Sequence, residues 1–295
     1  MVQGKGSMTG RTCMITGSTS GIGHATAIGL AKIGADLVLV CRDRSRADQT
    51  VAAIRATNEN THVEVMLADL SSQQAIRRLA RDYLASDRPL HVLVNNAGVV
   101  NLHRTVTVDG IETVFAVNHL AYFLLTNLLL DRLKASAPAR VVNVASDAHR
   151  FGTMNFEDLG GERSYRTMRI YGQSKLANIL FTYELARRLE GTGVSVNCLH
   201  PGAVATGLGK NNGGWAKVII GMLRPFFRTP ESGAATSIFL ATSPQVEGIS
   251  GKYFSNCKET RSSKPSYDAA VARRLWKVSE ELTGIGERWP NPAPP

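Results

Sequence analysis

Eight residues, Thr16-Gly17-Ser18-Thr19-Ser20-Gly21-Ile22-Gly23, constrain this chain more than any other stretch. The apolar run Cys13-Met14-Ile15 before them reads as a short buried strand, and Ala25 to Ala31 after them reads as the start of a helix. Strand, glycine turn and helix together turn a glycine pattern into a phosphate site. Glycine permits the sharp turn and lets a pyrophosphate approach the backbone, while the helix N-terminus offers free N–H groups and partial positive charge. Gly17, Gly21 and Gly23 give G-x-x-x-G-x-G, without the lysine of a Walker A loop. Turns of this composition also serve as plain connectors, so the residues downstream decide its meaning.

Downstream, apolar runs alternate with helical spacing. Strands are expected at Asp36–Cys41, His62–Leu67, His91–Val94, Arg140–Ala145 and Ser195–Leu199, after the first at Cys13–Ile15. Helices are expected over Arg46–Asn58, Ala75–Leu84 with Ser71-Ser72-Gln73-Gln74 as its cap, about Asp109–Lys134, about Ile170–Glu190, and from near Pro230. Continuously apolar strands alternating with helices imply a parallel sheet covered on both faces, and right-handed crossovers make it doubly wound. The expectation is one α/β domain of about seven strands over 11–284. Residues 1–10 and the Pro-rich 285–295 are expected to be flexible. Ligands of such sheets bind beyond the carboxyl ends of the strands. Gly17, Arg42, Asp69, Asn95, Ser146 and Pro201 all fall at those ends.

Composition narrows the function classes. The longest central apolar run, Leu120–Leu130, is interrupted by Thr126 and Asn127 and is too short for a membrane span. The first ten residues are polar and lack an apolar signal core, so a soluble, intracellular, cytoplasmic protein is expected. Cys13, Cys41, Cys198 and Cys257 form no C-x-x-C pair, and the seven histidines lack metal-ligand spacing, so no metal site is expected. The net charge of +10 is spread along the chain with no basic block, which argues against nucleic acid and for an anionic dinucleotide.

The chemistry concentrates at Tyr171-Gly172-Gln173-Ser174-Lys175, where Tyr171 and Lys175 stand one helical turn apart on one face. A free tyrosine titrates near 10, too high to exchange protons readily at neutral pH. An ammonium about 4 Å away contributes about 4 kcal/mol at an effective dielectric near 20. At ~1.4 kcal/mol per pKa unit, that would bring the phenol toward 7. Ser146, at the end of the fifth strand, is the third candidate.

Thr16 to Gly23, Asn95 to Gly98, Asn118, Ser146, Tyr171, Lys175 and Pro201-Gly202 together resemble the short-chain dehydrogenase/reductase family, over about Arg11 to Gly284. Cys41-Arg42-Asp43, Val117-Asn118-His119-Leu120, Arg140 to Val144, Ser174 to Asn178 and Ser250 to Phe254 resemble its retinol dehydrogenase-like branch. The resemblance implies a Rossmann-type fold and a catalytic set of Asn118, Ser146, Tyr171 and Lys175. Tyr171 would be the general acid/base and Lys175 would lower its pKa and bind the nicotinamide ribose. Ser146 would hold the reacting oxygen. Asn118 would kink its helix and hold a water that relays protons to Lys175. Cofactor contacts would come from Gly17, Ser18, Ser20, Gly21, Ile22 and Gly23 at the phosphates. Asp69 and Leu70 would reach the adenine, and Asn95, Ala97 and Gly98 the adenosine ribose. Pro201, Gly202, Val204 and Thr206 would hold the nicotinamide, beside Tyr171 and Lys175.

NADP(H) rather than NAD(H) is expected, because Cys41 stands where NAD enzymes of the family carry an acid and Arg42 can grip a 2′-phosphate. Relatives in that branch often carry an N-terminal membrane anchor, whereas this chain starts almost directly at its first strand. The implied reaction interconverts a carbonyl and an alcohol. A non-catalytic dinucleotide sensor would be expected to lack Tyr171 or Lys175, and an extended-branch epimerase would show a different glycine spacing. A substrate lid is expected around 206–230, where Trp215, Val218 to Ile220, Met222, Leu223, Phe226 and Phe227 are apolar and Lys210 and Lys217 are the only cations up to Ile220. These side chains could line a pocket, cover core, or touch a membrane or partner, and they favour a lipophilic aldehyde, ketone or alcohol. Family habit also implies pairing of the Asp109–Lys134 and Ile170–Glu190 helices between subunits, as a homodimer or homotetramer. Leu120, Phe123, Leu124, Leu128 and Leu129 would then be partly interface.

Overall fold

Seven parallel strands and one short antiparallel edge strand build the sheet of the computed structural model, which describes residues 7–202 and 229–286. In chain order the strands are β1 (Thr12–Thr16), β2 (Asp36–Cys41), β3 (Val63–Leu67), β4 (Val92–Asn95), β5 (Ala139–Val144), β6 (Val194–His200), β7 (Lys252–Ser255) and β8 (Lys258–Glu259). Their spatial order, β3-β2-β1-β4-β5-β6-β7-β8, reverses direction between β1 and β4. That reversal opens a crevice above the β1–β4 pair, where Cys13, Met14 and Ile15 register with Val92, Leu93 and Val94.

Both faces of the sheet are covered, and the period of two shows it. Met14, Val38, Val40, Leu93, Val141 and Val196 face one layer, while Cys13, Ile15, Leu37, Leu39, Val94 and Val142 face the other. The second layer holds α1 (Gly21–Ala31), α2 (Arg44–Thr57) and, later in the chain, α8 (Pro230–Thr242). The first holds α3 (Gln73–Ala85), α5 (Ala121–Leu128) and α7 (Thr167–Arg188). Among the central strands burial is nearly complete. The edge strand β3 is only half-buried and its Leu67 is exposed.

Helix starts follow side-chain caps. Ser72 accepts from the Ala75 amide at the start of α3 as expected, and Asp43 accepts from the Arg46 amide at the start of α2. The long helix expected from Asp109 starts later, because Glu112 accepts from the amides of Val114 and Phe115 and fixes the first turn at α4 (Thr113–Phe115). The helix then widens into a π-turn over Ala116–Leu120, continues as α5 and breaks at Leu129 before α6 (Leu130–Ala135). The N-terminal segment is also better held than expected. Met8 is buried and its amide donates to the Ile33 carbonyl, so tethering begins before Gly10.

The last helix, α9 (Ala269–Thr283), ends at Gly284 in the left-handed conformation, φ 59°. Its Trp276 packs against Phe123 at 4.9 Å and Phe181 at 5.9 Å between ring centroids, under the Arg188 guanidinium. Phe123, Leu124 and Leu129 are thereby buried within the chain, and of the five residues expected at a subunit interface Leu128 alone is partly exposed. No described helix is long and apolar enough to cross a membrane, and no cluster among the described residues is arranged to hold a metal ion.

Candidate active site

The crevice is a cleft of about 670 Å³ at the carboxyl ends of β1, β2, β4, β5 and β6. Its floor is the glycine turn. Gly17 has φ 65°, and a Cβ there would stand 2.9 Å from the Ala97 Cα; a Cβ on Gly23 would stand 2.2 Å from the Gly17 carbonyl oxygen. Side chains are therefore excluded where the backbone must stay open. Ser20 makes no side-chain cap to α1, which leaves first-turn N–H groups of that helix free toward the cleft. This cradle fits a dinucleotide pyrophosphate. Gly17, Ser20, Gly21, Ile22 and Gly23 line it as expected, and so does Thr19. Ser18 does not: it is fully buried and donates to the Val40 carbonyl beneath the turn.

Toward the outer end the cleft is lined by Arg42, Asp69 and Leu70, and also by Arg46, which sequence reasoning missed. Asp43, the nearest acid to the second strand's end, lines the cleft as well, with its Oδ1 capping α2. Asp69 accepts from the amide and hydroxyl of Ser71, which holds its carboxylate in a tight turn. Asn95, expected to line the ribose site, faces the other way. It is fully buried, its amide nitrogen donates to Thr126 and Asn143, and Asn143 donates in turn to Thr182, so it braces β4 against β5, α5 and α7. Asn96 lines the cleft instead, and its amide nitrogen donates to the carbonyl of Thr16 at 2.8 Å and more weakly to that of Gly17. Ala97 and Gly98 line it too.

At the inner end Ser146, Tyr171 and Lys175 share one wall with Pro201 and Gly202. Ser146 ends the β5 segment and caps a 3₁₀ turn, Asp147–Phe151, by accepting from the Ala148 amide at 3.2 Å. Its carbonyl is held by buried His149, whose Nδ1 donates at 2.7 Å while Nε2 accepts from the Ser263 amide. Those two bonds fix the neutral tautomer, and burial lowers the His149 pKa in the same sense. Gly152 and Gly172 let this turn lie against α7: a Cβ on Gly152 would stand 2.3 Å from the Gly172 carbonyl oxygen. Lys175 is buried and donates to the Val144 carbonyl at 3.0 Å, with its Nζ 5.7 Å from the Tyr171 ring centroid and 5.9 Å from that of Tyr122. Tyr122, another residue the sequence reading missed, donates to the Ala97 carbonyl at 2.8 Å.

The electrostatics depart from expectation. Burial pushes the Tyr171 phenol up, opposed by its hydrogen bond with Ser146, and burial brings Lys175 down to about 7. The depression of Tyr171 by a charged neighbour, expected from spacing alone, is outweighed because both groups are desolvated together. Asn118 stands in the π-turn, as the expected kink requires. Its Oδ1 accepts from the Val99 amide at 2.8 Å, and its Nδ2 donates to the Val99 carbonyl and to Ser174. A Cβ on Gly98 would stand 3.4 Å from Asn118 Oδ1 and 3.6 Å from Lys175 Nζ, so this glycine lies directly against both side chains. Val204 and Thr206, and the expected lid from 206 to 228, lie outside the described residues. A larger hollow of about 990 Å³ opens at the opposite ends of the strands, but its Arg140 is spent on the carbonyls of Leu240 and Ser243.

A doubly wound sheet with a glycine cradle and a Ser-Tyr-Lys wall at its switch point defines a dinucleotide-dependent oxidoreductase. The short chain dehydrogenase family model matches residues 11–217. The chain is 47% identical to retinol dehydrogenase 14 of Mus musculus, covering 95% of this chain and 88% of that one. It is 45% identical to retinol dehydrogenase 12 of Homo sapiens over 96% and 88%. Among solved structures, an uncharacterized protein of Mycobacterium paratuberculosis superposes with a TM-score of 0.77 at 34% identity, over 95% and 96% of the two chains. RhlG of Pseudomonas aeruginosa, an NADP active-site complex, gives 0.67 at 29% identity over 84% and 95%. The protein belongs to the short-chain dehydrogenase family, in its retinol dehydrogenase-like branch.

Proposed function

We propose that the protein is an NADP(H)-dependent oxidoreductase that interconverts a lipophilic aldehyde or ketone with its alcohol, with Tyr171 as general acid/base. The observation that carries this reading is the convergence of Ser146, Tyr171 and Lys175 on one wall of a cleft whose far end presents Arg42 and Arg46. When bound, the nicotinamide supplies or accepts the hydride. In reduction Tyr171 Oη gives its proton to the substrate oxygen, and in oxidation it takes that proton back. The Ser146 hydroxyl accepts from the Ala148 amide and shares a hydrogen bond with Tyr171, which puts its O–H beside the oxygen that Tyr171 serves. Lys175 stands behind the phenol, and Asn118 holds the Val99 strap beside it.

Cofactor choice follows from the outer end. Arg42 and Arg46 bring two guanidinium groups that favour a 2′-phosphate, while Asp43 lines the same end with its Oδ1 engaged in the cap of α2. The lipophilic substrate rests on two supports: the apolar composition of Trp215 to Phe227 and the names of the retinol dehydrogenase relatives.

Tyr171→Phe tests the mechanism. Turnover is expected to fall about 10²–10⁴-fold with NADPH binding retained, and near-normal turnover would sink the assignment. An aldehyde series of rising chain length tests the substrate class, because each buried methylene should add up to about 0.8 kcal/mol to transition-state binding. Flat or falling kcat/KM along the series would overturn it.

A further inference from the structure

His119 neighbours Asn118 in the π-turn, is fully buried, and touches no part of the cleft. Its Nε2 lies 2.9 Å from the Ser279 hydroxyl of α9. That hydroxyl donates its single proton to the Leu275 carbonyl at 2.8 Å, so the imidazole must be the donor of the shared bond. Nε2 therefore carries the hydrogen and Nδ1 keeps a bare lone pair. Nδ1 and both polar atoms of the Asn178 carboxamide on α7 are buried without a hydrogen-bond partner. Burial holds the imidazole pKa down to about 3, which leaves the ring neutral at any working pH.

The ring sits among Phe115, Phe123 and Phe181, with centroids 5.2, 6.4 and 6.1 Å away. A phenylalanine would suit that cage for packing alone. A polar ring with one directed partner fixes orientation instead, since a misregistered neighbour would strand its buried N–H. The contacts are placed for this. Asn118 bonds to Ser174 and His119 packs against Phe181, both on α7, with Lys175 between them in sequence.

We propose that His119 is a positioning residue: bonded to Ser279 and packed edge-on against Phe181, it locks the π-turn carrying Asn118 against the helix carrying Tyr171 and Lys175, and so makes the C-terminal helix part of the active-site scaffold. The inference rests on the reading of Tyr171 and Lys175 as the reacting pair. It also gives a role to His119, a member of a sequence string that the cleft does not use.

The test compares wild type, Ser279→Ala and His119→Phe by steady-state kinetics, NADPH binding and backbone amide exchange. Misplacement in the ångström range costs up to about 10²-fold, so kcat is expected to fall about tenfold in His119→Phe and about fivefold in Ser279→Ala. NADPH affinity should stay within about threefold, and the double variant should be no slower than His119→Phe alone, as for one coupled unit. Folded variants with lowered Tm but kcat near wild type would overturn the proposal, because a purely structural histidine moves stability only. If His119→Phe does not fold, Ser279→Ala decides alone. If wild type turns over no carbonyl or alcohol, the proposed reaction fails while the clamp is still read out. Exchange at Asn118–Leu120 faster by about tenfold in Ser279→Ala upholds it, and unchanged rates overturn it.

Discussion

Tyr171 and Lys175 stand one helical turn apart, and burial moves them in opposite directions: the phenol up, the ammonium down to about 7. A lysine depressed in the folded chain binds fewer protons than the same lysine unfolded, which titrates near 10.4. Stability must then rise with pH from about 7 upward as the unfolded state alone stays protonated. Tyr171, and the thiols of Cys13 and Cys198 pushed up to about 12, act in reverse above their unfolded values, where the unfolded chain ionises first. The useful window is thus pH 7 to about 8.5. In it, cofactor-free wild type should gain stability relative to Lys175→Met by up to about 1.4 kcal/mol per pH unit. Denaturant melts of both proteins across that window check the difference; parallel curves would place the amine outside the buried environment.

At the scale of elements, the two glycines between the 3₁₀ turn and α7 set the distance between Ser146 and Tyr171. Gly152→Ala would drive a methyl to within 2.3 Å of the Gly172 carbonyl, which is backbone and cannot rotate away. The turn must move, and an ångström of displacement is worth about 10²-fold in rate. We expect kcat to fall by about that factor while NADPH binding changes little, measured by turnover and cofactor titration on the folded variant. The start of α2 separates two roles in the same way. Arg42→Ala should raise the KM for NADPH, whereas Asp43→Ala should cost about 1 kcal/mol of stability through the lost cap. Thermal melts and cofactor kinetics on the pair distinguish these effects.

The whole molecule turns on its last helix. Trp276 fills the space over Phe123 and Phe181, so the face expected to pair with another subunit is covered by the chain itself. Trp276→Ala should cost about 3–5 kcal/mol, read from denaturant unfolding, because a buried indole is replaced by a cavity. Leu128→Ser should leave the mass measured by light scattering unchanged, since Leu128 is the one partly exposed member of that expected interface.

The doubly wound sheet, the glycine cradle and the Tyr171–Lys175 turn were legible in the amino-acid order, because each is local: a period, a turn chemistry, a spacing on one helix; the kink at Asn118 came only through the family resemblance. Three things were not. Which of Asn95 and Asn96 faces the cleft depends on how the end of β4 is braced by Thr126 and Asn143, residues distant in sequence. The direction of the Tyr171 and Lys175 pKa values depends on desolvation, which spacing does not carry. The covering of α5 and α7 by α9, and with it the bond from His119 to Ser279, joins residues 160 positions apart. Sequence period and turn chemistry determined the elements and the order of the site; long-range packing decided which side chains face the cleft, which are charged, and which surface is left for a partner.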